Sequence, residues 1–158
     1  MYTFRMKLKP HSRKLRMGRA SITGQVYLVT SVTHQRSAFF GDLQAGRTVV
    51  KSMQQTQFHG AADTLAFVVM PDHLHWLFSL GPSHSVSTVV SGVKSYSAMG
   101  VNRILSRRGR VWQRGFHDHA LRRDEDLVHV ARYIIANPLR AGLVKRLGDY
   151  PLWDAVWV

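Results

Sequence analysis

The sequence predicts an α+β fold, a ferredoxin-like antiparallel sheet layered with helices, on three observations. Segments rich in β-branched and aromatic residues alternate with segments of helical periodicity in the order β, α, β, β, α, β, α. Two of the strand segments flank Pro71-Asp72, which suits a tight hairpin. The chain's 158 residues fit one domain with a real core, since globular domains most often run about 100 to 150 residues.

Taken in order, Gln25-Val26-Tyr27-Leu28-Val29-Thr30-Ser31-Val32-Thr33 follows Gly24 and reads as the first strand. From Asp42 to His59 polar and apolar residues mix without β character, which predicts a helix. The second strand runs from Asp63 to Met70, and after Pro71-Asp72 a third carries His73-Leu74-His75-Trp76-Leu77-Phe78. Val86 to Leu105 spaces Val89, Val90, Val93, Tyr96 and Met99 as a helix does, behind serines that can cap it. Arg103, Arg107, Arg108, Arg110 and Arg114 then surround Gly109 with no acid among them, the pattern of an exposed loop. Phe116 to Arg122 reads as a short final strand. Asp124, Glu125 and Asp126 place negative charge at the first turn of a third helix, which Pro138 ends at or near Asn137. Leu139 to Val158 shows no chemical motif and reads as a tail packing on the sheet.

Lys and Arg number 22 against 9 Asp and Glu, a formal charge of +13, which predicts attraction to a polyanion, with nucleic acid as the leading partner. No apolar run approaches the roughly 18 to 20 residues that span a bilayer, so a membrane is set aside. The first nineteen residues include Arg5, Lys7, Lys9, Arg13, Lys14, Arg16 and Arg19 with no acid and no apolar signal core. They read as a cytosolic basic arm, residues 1–20, ahead of a single domain over 21–158; an Arg-rich transit peptide is the competing reading. Without cysteine there is no thiolate ligand, so any ion would be held by imidazole, carboxylate, amide or water, which favours Mg²⁺ or Mn²⁺ over structural zinc.

The most informative feature is His73-Leu74-His75. On a strand, residues i and i+2 share a face, so both imidazoles can reach one ion. The same spacing recurs in His117-Asp118-His119, a second candidate pair in a chain with nine histidines. The bland alternative for each histidine is a bond to backbone or to a neighbouring carboxylate. Further on, Leu127, Val130, Ala131, Ile134 and Ile135 form the apolar stripe of the third helix, and Tyr133 and Asn137 fall together on its flank. A boundary tyrosine in water and an asparagine stop before proline are the competing readings. Together, however, a phenol and a half-built metal site suggest DNA-strand chemistry. A phenol has a pKa near 10, so attack on a phosphodiester needs activation of the phenol, and a divalent ion can polarise the phosphate.

Four blocks in order carry a resemblance: Gly24-Gln25-Val26-Tyr27-Leu28-Val29-Thr30; Val69-Met70-Pro71-Asp72-His73-Leu74-His75; Trp112-Gln113-Arg114-Gly115-Phe116-His117-Asp118-His119-Ala120-Leu121-Arg122; and Tyr133-Ile134-Ile135-Ala136-Asn137-Pro138-Leu139-Arg140-Ala141-Gly142-Leu143-Val144. On these the chain resembles the single-tyrosine HUH transposases of the IS200-like superfamily, and among them the REP-associated tyrosine transposases. The resemblance implies a ferredoxin-like antiparallel sheet with helices on one face, plus a C-terminal helix bearing the nucleophile. It implies His73, His75 and Asn137 as ligands of Mg²⁺ or Mn²⁺ and Tyr133 as the nucleophile. In that family the tyrosine attacks single-stranded DNA, forms a 5′-phosphotyrosine link, frees a 3′-OH and can reverse the step. The implied partner is single-stranded or hairpin DNA from repetitive extragenic palindromes, in the bacterial nucleoid. Lys7, Lys9, Arg13, Lys14, Arg16 and Arg19 of the arm, with Arg107, Arg108, Arg110, Arg114 and Arg122, would meet its phosphates. A monomer is expected, with a homodimer left open, because the tyrosine helix packs on its own sheet in some relatives and on a partner's in others. The rival readings are a non-catalytic hairpin-binding protein, and an RNA-binding sheet that would stack bases on exposed Tyr27 and Trp76.

Overall fold

The computed structural model describes residues 24–122 and 125–157, and the basic side chains from Lys7 to Arg19 lie outside them. Five antiparallel strands form one sheet: β1 (Val26–Val32), β2 (Ala62–Met70), β3 (His73–Leu80), β4 (His117–Ala120) and β5 (Trp153–Ala155). Their order across the sheet is β4-β1-β3-β2-β5. The first four reproduce the ferredoxin-like arrangement, and β5 extends the β2 edge. The helices are α1 (Leu43–Phe58), α2 (Val86–Ile104), α3 (Leu127–Ile135) and the one-turn α4 (Asn137–Arg140).

Alternation along the central strands divides the core in two. Tyr27, Val29, Phe67, Val69, Leu74, Trp76, Phe78 and Leu80 pack with α1 and α2. Leu28, Ala66, Val68, Met70 and Leu77 point the other way and pack with Val130, Ala131, Ile134 and Ile135 of α3. The helices therefore lie on both faces, with α3 on the second. Asp42 caps α1 by accepting from Ala45 N at 2.9 Å, and Ser85 caps α2 by accepting from Thr88 N at 3.1 Å. The two helices meet closely at Gly100, where an added Cβ would strike the Thr48 methyl.

Two expectations are corrected and one is made more definite. The C-terminal tail does not merely lie on the sheet: Ala155, Asp154 and Trp153 pair with Ala66, Phe67 and Val68. The third helix does end near Asn137: α3 stops at Ile135, and Pro138 then sits in the first turn of α4, where a missing N–H costs nothing. The arginine segment is only partly an exposed loop, because Val111 and Trp112 are buried, Thr33 bridges to Trp112, and Trp112 Nε1 donates to Ser97 Oγ at 3.0 Å. No helix among the described residues is long and apolar enough to cross a membrane.

Candidate functional site

The β2–β3 hairpin sets the position of the histidine pair. Met70 pairs with His73 across the two-residue turn Pro71-Asp72, and His75 pairs with Val68 on one side and Thr30 on the other. His73 and His75 therefore share the face that α3 covers. Their ring centroids lie 4.8 Å apart at an interplanar angle of 82°.

Each ring is fixed from behind. His73 Nδ1 is 2.7 Å from Asp72 Oδ1, and Asp72 is in turn 3.6 Å from the Arg36 guanidinium. His75 Nδ1 is 2.8 Å from Thr30 Oγ1, a side chain buried in β1. With both Nδ1 atoms engaged, the Nε2 atoms are the ones available to an ion, the arrangement by which outer partners orient ligating imidazoles. Burial first, then the neighbouring His73 and the Arg140 charge, push the His75 imidazole down to about 3. At neutral pH it is in the uncharged form that a metal ligand needs.

The third helix brings the phenol. Asp126 caps it by accepting from Val128 N and His129 N at 3.0 and 3.2 Å, and its buried stripe seats it on the chain's own sheet. Tyr133 lies on the outer flank with 37% of its surface exposed, open to a substrate. Asn137 follows four residues later, half-buried, and its Nδ2 donates to Ile134 O at 2.7 Å, which leaves Oδ1 as the side chain's acceptor. Arg140 closes the group. Its guanidinium carbon stands 4.0 Å from the centre of the Tyr133 ring, and its Nη2 donates to Tyr133 O at 2.6 Å. Two imidazoles and one amide oxygen suit a divalent ion that keeps open positions.

The second histidine pair is close but separate. His117 pairs with Thr30 and His119 with Leu28, which places both on the same face, one strand beyond β1. His119 Nε2 lies 3.0 and 3.1 Å from the two oxygens of Glu125, and Glu125 Oε1 also accepts from Arg122 N at 3.0 Å. Among the described residues no three of His, Cys, Asp or Glu cluster as a metal centre. Tyr27 and Trp76, the aromatics an RNA-stacking sheet would expose, are 6% and 1% exposed beneath α1 and α2. Arg108, Arg110, Arg114 and Arg122 are exposed, whereas Arg107 is engaged in the loop: it lies over Phe39 at 4.3 Å and donates to Asn102 Oδ1 at 2.6 Å. Sequence reading missed Thr30, Asp72 and Arg140 as parts of this site.

The fold and site define a class: a ferredoxin-like sheet with an H-x-H pair on a central strand and a tyrosine-bearing helix on the same face. The chain belongs to the IS200-like transposase family; residues 21–137 match the family described as Transposase IS200 like. It is 29% identical over 140 residues to a Haemophilus influenzae protein provisionally assigned as a REP-associated tyrosine transposase, covering 81% of this chain and 78% of that one. It is 34% identical over 89 residues to the REP-associated tyrosine transposase of Escherichia coli K12, covering 54% of this chain and half of that protein's length. Among solved structures, a REP-associated tyrosine transposase bound to a REP hairpin superposes with a TM-score of 0.66 at 25% identity, over 85% of this chain and 79% of that one. A Deinococcus radiodurans protein of provisional transposase assignment shares the fold, with a TM-score of 0.54 at 20% identity over 74% of this chain and 93% of that one.

Proposed function

We propose that this chain is a metal-dependent single-stranded DNA endonuclease and strand transferase that works through a 5′-phosphotyrosine link on hairpins of repetitive palindromes. The observation that carries the reading is the shared face: Tyr133 comes from α3, packed over the same side of the chain's own sheet as His73 and His75, and Asn137 opens α4 directly after it. Nucleophile and ion ligands then belong to one polypeptide.

His73 Nε2, His75 Nε2 and Asn137 Oδ1 would hold Mg²⁺ or Mn²⁺. When bound, that ion polarises a non-bridging oxygen of the scissile phosphate. Tyr133 Oη attacks the phosphorus and loses its proton to solvent; the new O–P bond replaces the bond to the 3′-oxygen, which leaves and takes up a proton as a 3′-OH. The reverse attack by a 3′-OH rejoins the strand and restores the phenol. Asp72 and Thr30 keep the imidazoles aimed throughout. Arg108, Arg110, Arg114 and Arg122, with the basic side chains from Lys7 to Arg19, would contact DNA phosphates. The structural relative bound to a REP hairpin supports hairpin DNA as the partner.

The test incubates the full chain with end-labelled single-stranded DNA carrying a palindromic hairpin, with Mn²⁺, Mg²⁺ or chelator, and resolves it under denaturing conditions. A slow-moving protein–DNA band that requires metal supports the reading. Tight hairpin binding with no band across varied flanking sequences would show a binding protein instead.

A further inference from the structure

Arg140 has no role in the reading above, yet it contacts Tyr133 from a position that suits a substrate. Its guanidinium stacks on Tyr133 at 4.0 Å and spends one N–H on the Tyr133 carbonyl. A guanidinium carries five N–H donors in a planar fork, so most of its donors remain for another acceptor. Among the described residues it forms no ion pair, in contrast to Arg36 with Asp72 and Arg146 with Asp149. It is exposed. An uncompensated cation is thus held against the phenol, where a phosphodiester of opposite charge would lie.

We propose that Arg140 acts on the scissile phosphate directly, pairing with a non-bridging oxygen while its stacked face fixes the Tyr133 ring for attack. The two tasks need one planar group. The guanidinium carbon lies over the phenol ring at 4.0 Å, so the donors not used on the Tyr133 carbonyl would meet a phosphate that approaches the hydroxyl. Lysine would keep the charge but could not both stack and fork. This inference rests on the proposed covalent chemistry.

The experiment measures the rate of adduct formation at saturating hairpin DNA and Mn²⁺ for the unaltered chain, Arg140→Lys and Arg140→Met. Each is also tested on DNA whose scissile linkage is a neutral methylphosphonate. On native DNA the rate falls roughly 100-fold in Arg140→Met, the scale of a lost oxyanion donor, and roughly 10-fold in Arg140→Lys. Hairpin affinity stays within about two-fold, since other cations carry most phosphate contacts. On the methylphosphonate the penalties of both variants fall well below their values on native DNA, because the charged oxygen that Arg140 pairs with is gone, and what remains is the lost stacking on Tyr133. A merely structural arginine would impose the same penalty on both substrates, and that result overturns the inference, as do rates within about three-fold of the unaltered chain in both variants. If Arg140→Met does not fold, Arg140→Lys with the two substrates decides the question alone. A metal-requiring adduct absent from the unaltered chain refutes the covalent reading, and the role of Arg140 falls with it; an adduct insensitive to Arg140 refutes only the role.

Discussion

Replacing Thr30 by valine removes one oxygen from the floor of the site and leaves its shape nearly intact, so it isolates the hydrogen bond that aims His75. Thr30 is 5% exposed and its Oγ1 lies 2.8 Å from His75 Nδ1. With Nε2 turned toward an ion, Nδ1 keeps the proton and donates to that oxygen. In the variant the buried N–H loses its acceptor, a loss of about 1–3 kcal/mol in folding stability. Freed from its partner, the ring also loses its preferred tautomer and orientation. Loss of such an outer partner weakens metal binding by about 10- to 100-fold, which is roughly 1.4 to 2.7 kcal/mol at 25 °C. Titration calorimetry with Mn²⁺ on the metal-free protein reads the second quantity and urea unfolding reads the first. Mn²⁺ affinity within about two-fold of the unaltered protein, beside a clear stability loss, would refute the orienting role and leave Thr30 a structural residue only.

Four further outcomes are expected. Arg108→Ala and Arg110→Ala each reduce the slope of log affinity against log salt for hairpin DNA by about one unit. Arg107→Ala instead lowers the melting temperature, because Arg107 ties the loop to Asn102 and Phe39; salt-dependent binding and thermal melts separate the two behaviours. Gly100→Val forces a side chain against Thr48 where α1 and α2 touch, and destabilises by about 1–3 kcal/mol in a urea titration. At Glu125, burial alone would raise the carboxyl, but the Arg122 backbone N–H and the His119 contact outweigh it and hold the carboxyl below its ordinary 4.5. Because the folded value is the lower one, its stabilisation is present above about pH 4.5 and is lost as pH falls through the folded value. The melting difference between the unaltered chain and Glu125→Gln therefore shows at pH 7 and shrinks under acid.

How much of this was legible depends on the range of each interaction. Period-two alternation put His73 and His75 on one face because that rule is local, whereas the four-residue spacing of Tyr133 and Asn137 assumes one unbroken helix and the chain breaks at Ala136. The alternation also set Trp76 on the side opposite the histidines, but which side the helices cover depends on tertiary packing, and Trp76 and Tyr27 turn out to be buried. Thr30 was invisible as a partner of His75 because they are 45 residues apart and meet only through the β1–β3 register. Arg140 lies seven residues beyond Tyr133, yet it returns to the ring only because the chain breaks at Ala136 and restarts as α4. Strand β5 is three residues long, too short to show a period. Its place is set by Val69, whose N–H donates to Leu152 O, and by Tyr150, whose hydroxyl reaches Val69 O.

Mapping the covalent bond tests the central claim most directly. The adduct formed with hairpin DNA and Mn²⁺ is digested with nuclease and trypsin and its modified peptide sequenced by mass spectrometry. A nucleotide 5′-phosphate is expected on Tyr133 within the peptide Tyr133 to Arg140, absent with chelator and absent in Tyr133→Phe. A bond to any other side chain, or a Tyr133 bond formed equally well by a His73→Ala/His75→Ala protein, would contradict it.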